Sequence, residues 1–231
     1  MRKLIVLSIA ILIVANSYCQ TDRYQTDWFL YWQPSISLEF SDFQKIPNSD
    51  ELSMFNKYGV QSMANVQIHA ILDYPKKARK INTLKEQWYI APAFCKKCSP
   101  ISEHDKSELL QAQVYFDIAE FCARISRRSI AEIEQQLNDQ NVGNGAIAAA
   151  FPRIVDEMYN LMAEMFSSYG RQVIIDKNPG AYEEWRSSVD EMLESTIEYQ
   201  TKSIECKRFM NEKPFSDEYQ VSYEVYGKEV R

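Results

Sequence analysis

The hydrophobic period changes near Ser102, and that change constrains the fold more than any other feature of the chain. Before it, apolar residues recur at every second position. Ser35-Ile36-Ser37-Leu38-Glu39-Phe40 alternates, and Val66-Gln67-Ile68-His69-Ala70-Ile71-Leu72 continues the pattern up to Tyr74-Pro75. Gln87-Trp88-Tyr89-Ile90-Ala91 adds a third run, rich in aromatic and β-branched residues, that Pro92 ends or places at a sheet edge. Period two is the pattern of half-buried strands. After Ser102 the period is that of a helix. Leu110, Val114, Ile118, Phe121 and Ile125 form one stripe, with Ser102 or Asp105 as its N-cap. Glu120 and Arg124, four apart, can pair on the polar side.

A second short helix is expected over Ser129 to Leu137, before an NDQNVGNG loop. A third carries Ile147, Phe151, Ile154, Met158, Leu161 and Met165, with Pro152 starting or kinking it. Beyond Asn178-Pro179-Gly180, a last helix runs from about Ala181 to Arg208 with Trp185, Val189, Leu193, Ile197 and Ile204 inward. Strands first and helices afterwards predict an α+β fold, N-terminal antiparallel strands followed by a C-terminal helical part. One domain over residues 20–212 suits the length of 231, with residues 213–231 as a tail or an extra strand at Tyr219 to Tyr226.

The start, MRKLIVLSIAILIVANSYCQ, has a basic pair, an apolar core and a polar exit. This is the order of a secretory signal peptide, expected over residues 1–19 with cleavage after Ser17 or Cys19. The apolar run is shorter than the roughly 18 to 20 residues of a spanning helix. A bulky Tyr18 disfavours lipidation of Cys19. The chain is therefore expected to be exported, periplasmic or extracellular, with no transmembrane helix in its mature form. A formal charge of −6, more negative once Arg2 and Lys3 leave with the leader, makes nucleic acid and anionic lipid poor partners. The basic run Lys76 to Lys80 reads as a solvated hairpin turn. No GxGxxG, GxxxxGK[ST] or GxSxG occurs, so phosphate cradles and nucleophile elbows have no support.

The helix Glu108 to Arg124 carries Leu109-Leu110, Phe116-Asp117-Ile118, Glu120 and Ala123-Arg124. Upstream stand Leu30-Tyr31-Trp32 and Ser41-Asp42-Phe43; downstream, Tyr169 and Trp185 flank Asn178-Pro179. In these residues the chain resembles the DUF922 family, secreted bacterial proteins predicted to be zinc-dependent proteases. The resemblance spans about Trp32 to Trp185 and implies a zincin-like helix bearing HExxH. Two imidazoles at i and i+4 would then share one metal, with a Glu beside the first as base. Here the ligand positions are Gln111 and Tyr115, the base position is Ala112, and the third ligand falls on Ile175. The two histidines, His69 and His104, are read as a strand residue and a helix-start residue.

The resemblance thus implies a metal-free relative with no cofactor and no catalytic residue. It would act by binding a protein, a peptide or a cell-envelope polymer. Gln111 and Tyr115 are expected to fill the former pocket rather than line a groove. Asp117 and Glu120 are taken first as the solvated side of the helix, and otherwise as former supports of the ligands. The alternatives are a metallo-hydrolase with another ligand set and a thiol oxidoreductase using Cys95-Lys96-Lys97-Cys98. In an oxidising compartment, Cys95, Cys98, Cys122 and Cys206 are expected to form disulfides, with Cys95–Cys98 and Cys122–Cys206 the first of three pairings.

Overall fold

The computed structural model describes residues 23–77, 84–139 and 145–227. The leader expected over residues 1–19 lies outside them, as does 78–80 of the basic run. Among the described residues, four antiparallel strands form one sheet: β1 (Phe29–Tyr31), β2 (Val66–Pro75), β3 (Gln87–Cys95) and β4 (Tyr219–Tyr226), in the order β1-β3-β2-β4. β2 and β3 are the long central pair, in register from Val66 opposite Phe94 to Asp73 opposite Gln87. The C-terminal strand pairs with β2, so this segment is part of the sheet and not a loose end.

Among the described residues, five α-helices accompany the sheet: α1 (Ser49–Tyr58), α2 (Lys106–Asp139), α3 (Ala146–Tyr169), α4 (Ala181–Ser195) and α5 (Ser203–Met210). The α+β class stands, but several boundaries differ from expectation. Ser35 to Phe40 forms no strand; its alternation is interrupted by a turn, and a single 3-10 turn follows at Phe40–Asp42. β3 runs three residues past Pro92. The proline sits where the β1 ladder ends: its carbonyl still accepts from Trp32 N–H (3.0 Å), and the one bond its nitrogen cannot give falls at that end. The helix expected at Ser129 to Leu137 is the second half of α2. The expected last helix is two, and Ile197 and Ile204 around the break are exposed rather than inward.

Alternation along β2 and β3 divides the interior. Ile68, Ala70, Leu72, Ile90 and Phe94 face the large cluster built with α2 and α3. Ile71, Tyr89, Ala91 and Ala93 face a smaller one with Cys206 and Phe209 of α5. Both faces are therefore covered, which is why these strands are buried along almost their whole length. On the α5 side, Arg208 forms a bidentate pair with Asp73 at 2.7 and 2.8 Å, both fully buried. His69 is also fully buried there, ringed by Phe29, Tyr31, Phe209 and Tyr226.

α2 is the axis of the helical layer. From Phe116 to Arg127 it is buried on nearly every side. Glu120 accepts from Arg124 Nε (2.7 Å), Thr201 N–H (2.8 Å) and Thr201 Oγ1 (2.5 Å). Arg127 binds Glu205 (3.0 Å), and its guanidinium donates to the Ile90 carbonyl (2.8 Å) where β1 no longer covers the edge of β3. Glu120 is thus not on a solvated face. Charged residues enter this interior because each is matched by an opposite charge and by backbone groups.

The four described cysteines separate into two kinds. Cys95 and Cys98 are joined by a disulfide at the end of β3. Cys122 and Cys206 are free and buried, contrary to the expected pairing. Cys122 belongs to the α2–α3 cluster and Cys206 to the α5 cluster on the other face, so the two thiols never meet. No helix among the described residues is long and apolar enough to cross a membrane.

Candidate functional site

The residues that resemblance marks as the metal helix lie over an open groove. Glu108, Gln111, Ala112 and Tyr115 recur at helical spacing, which places them on one face of α2. They form the floor of a cavity of about 560 Å³. Met54, Phe55 and Tyr58 of α1 make one wall; Ala163, Phe166 and Ser167 of α3 make the other. Val60, Ser62, Met63, Ala64 and Ile174 complete its lining.

α1 was not anticipated from hydrophobic periodicity, yet local signals for it are present. Asn48 accepts from the N–H groups of Asp50 (3.0 Å) and Glu51 (2.9 Å), while Glu51 accepts from Asn48 N–H (2.9 Å). This is a capping box. At the other end Gly59 has a positive φ of 63°, the left-handed cap that favours glycine. Without α1 the groove has no second wall, so sequence reasoning missed the cavity along with the helix.

Tyr115 sits at the inner end. Its ring packs edge-on to Phe166 (5.0 Å) and Tyr169 (4.7 Å), and burial pushes its hydroxyl up to about 12. A Cβ at position 170 would lie 2.7 Å from that hydroxyl, which accounts for Gly170 at the start of a π-helical turn, Gly170–Ile175. Tyr115 fills much of the space beside α3, but the groove remains open above it and above Gln111. Ile175 is turned outward and exposed, while its neighbour Ile174 lines the groove. The position expected for a third ligand is therefore not brought to the other two.

This donor set does not fit a zinc ion. Gln111 is neutral, Tyr115 holds its proton, and Ala112 and Ile175 have no donor atom. Among the described residues, no three His, Cys, Asp or Glu side chains converge in a way that could hold a metal. His69 lies on the far face of the sheet, its Nδ1 3.4 Å from Tyr31 Oη. His104 stacks on Phe40 at 4.6 Å near the start of α2.

Asp117 is not on a solvated face either. It accepts from Trp32 Nε1 (2.8 Å), Gln113 Nε2 (2.9 Å) and Arg186 (2.7 Å). Trp185 packs against Tyr169 and donates to Gln172 (2.9 Å), tying α4 to the π turn. Trp32, Asp117, Glu120, Arg124 and Trp185 thus join α2 to the loops and helices around it.

A polar chamber of about 340 Å³ continues from the groove, sharing Val60, Glu108, Gln111 and Ile174. Asp105, Lys177, Asn178 and Glu183 line it further out. Asp105 caps α2 by accepting from Ser107 N–H and Oγ, both 2.7 Å, and these bonds hold its carboxyl below the usual range. Glu108 accepts the Gln61 N–H with both oxygens, at 2.6 and 2.7 Å. No protein-family model, curated protein or solved structure matches this chain.

Proposed function

We propose that this is an exported, metal-free relative of zinc-protease-like proteins that works by binding an apolar segment in the groove on α2. One observation carries the reading. The positions that would hold a metal and a base in such a protease are Gln111, Ala112 and Tyr115, and they form the floor of an apolar, accessible cavity. Clefts of several hundred Å³ lined mainly by apolar and aromatic side chains are the usual form of a ligand site. Two methionines, Met54 and Met63, add side chains that adapt to different apolar shapes.

The residues shared with the resembled family support the same reading. Those present, Trp32, Asp117, Glu120 and Arg124, have architectural partners, while those replaced are the ones that chemistry would need. The Cys95–Cys98 disulfide suits an oxidising compartment. As a redox dithiol it has less support, since Cys95 is fully buried and the pair sits in a 3-10 turn rather than at the start of an α-helix.

A neutral apolar dye tests the groove. Nile red is expected to brighten on binding the wild-type protein at a single site. Ala163→Trp, which projects into the cavity from α3, should abolish that signal while leaving the melting temperature within a few degrees. Equal brightening by the variant would reject the groove as the binding site.

A further inference from the structure

The groove and its polar chamber are joined and differ in character. The inner part is walled by Met54, Phe55, Phe166 and Ala112. The outer part has three carboxylates, Asp105, Glu108 and Glu183, against one ammonium, Lys177. A ligand that enters both must be apolar at one end, and it is favoured if it is cationic at the other. The lip of the groove adds a third property. At the bridge between Ser62 and Ile101, Met63 N–H donates to the Pro100 carbonyl (3.0 Å) and Ser102 N–H to the Gln61 carbonyl (2.8 Å). In such an antiparallel pair the N–H and C=O of Ser62 itself face away from Ile101. Ser62 also lines the groove, and its main-chain N–H and C=O are not spent on Ile101.

Resting on the reading of the groove as a binding site, we infer that its ligand is an extended peptide segment with apolar side chains followed by a basic one. The apolar residues occupy the space over Ala112 and Tyr115. The Lys or Arg passes Gln111 into the chamber beside Glu108 and Glu183. Glu183 lies in the first turn of α4 and is not engaged in holding the groove's floor. It can therefore be changed without disturbing α2. Asp105 and Glu108 cannot, because one caps that helix and the other holds the Gln61 loop.

The test compares three fluorescein-labelled hexapeptides by anisotropy: Gly-Leu-Leu-Gly-Lys-Lys, its Glu-Glu counterpart and its Gln-Gln counterpart. At low ionic strength the Lys peptide should bind about tenfold or more tighter than the Glu peptide, with the Gln peptide between them. Glu183→Lys should reduce that ratio at least roughly threefold, as expected for exposed charge pairs. Ala163→Trp should remove binding of all three. Equal binding of the three peptides, still blocked by Ala163→Trp, would overturn the charge selectivity while leaving the groove as the site. Nile red binding with no peptide binding would overturn the peptide assignment alone. Loss of both would reject the underlying reading as well. Tighter binding of dodecyltrimethylammonium than of the Lys peptide would overturn the peptide in favour of an alkyl cation. A dimer in sedimentation that Ala163→Trp dissociates would overturn it in favour of a second copy of this chain.

Discussion

His69 should make the protein acid-sensitive in a pH range where few carboxylates titrate. The side chain is fully buried among Phe29, Tyr31, Phe209 and Tyr226, and its Nε2 has no hydrogen-bond partner among the described residues. Burial lowers its pKa from 6.5 to about 3. The unfolded chain then takes up a proton below about pH 6.5, whereas the folded chain does not until about pH 3. Stability is fully present above the unfolded value and falls as the pH drops towards the folded one. Between pH 7.5 and 4.5 the loss comes to roughly 2 to 3 kcal/mol, at about 1.4 kcal/mol per pH unit. With a urea slope of about 2 to 3 kcal/mol per molar for a chain this size, the midpoint should move down by about 1 M. His69→Phe removes the titrating group and keeps an aromatic ring in the ring cluster. Other groups titrate in both proteins, so the difference between their two shifts isolates His69. Urea unfolding followed by far-UV circular dichroism at both pH values gives the answer. An equal midpoint shift in wild type and variant would refute the reasoning.

Three further outcomes follow from the interior. Arg208→Met should cost about 3 to 5 kcal/mol, because it leaves the Asp73 carboxylate buried without its partner. Asp73→Leu combined with Arg208→Met should recover at least half of that in urea unfolding, and a double variant as unstable as the single one would contradict it. Cys122 and Cys206, both pushed up to about 12 by burial, should resist iodoacetamide in the native state at pH 8. They should be alkylated in urea without reductant, while Cys95 and Cys98 require it; peptide mapping distinguishes the four. Asp117→Asn should destabilise by about 1 to 3 kcal/mol through the bond from Arg186, measured by thermal melting, with Nile red binding retained.

The sequence carried the class of the fold because period two dominates before Ser102 and period 3.6 after it, although α1 stands among the first strands and β4 follows the last helix. It also carried β2, β3 and much of the inward side of α2 and α3, where Ile68, Ala70, Val114, Ile118 and Phe151 are fully buried, although Leu110, expected in the same stripe, is exposed. What it concealed was long-range. Asp117, Glu120, Arg124 and Arg127 look like the wet side of an amphipathic helix. Their partners Arg186, Thr201 and Glu205 lie 69 to 81 residues away, so local pattern could not assign them to the interior. The Cys122–Cys206 pairing failed for a related reason: spacing says nothing about which face of a sheet each thiol occupies. α1 was different, since Asn48, Glu51 and Gly59 announce both its ends in the sequence. Its apolar residues Leu52 and Met54 are partly exposed, so they give no clear buried stripe.

Metal content tests most directly whether Gln111, Ala112 and Tyr115 floor a binding groove or stand in a working metal centre. The purified protein is to be incubated with equimolar zinc, passed through a desalting column and assayed by elemental analysis, alongside a peptidase assay on a quenched casein substrate. The account predicts well under one zinc per chain and no cleavage above a buffer blank. About one zinc per chain, removed by chelator together with a peptidase activity, would contradict it.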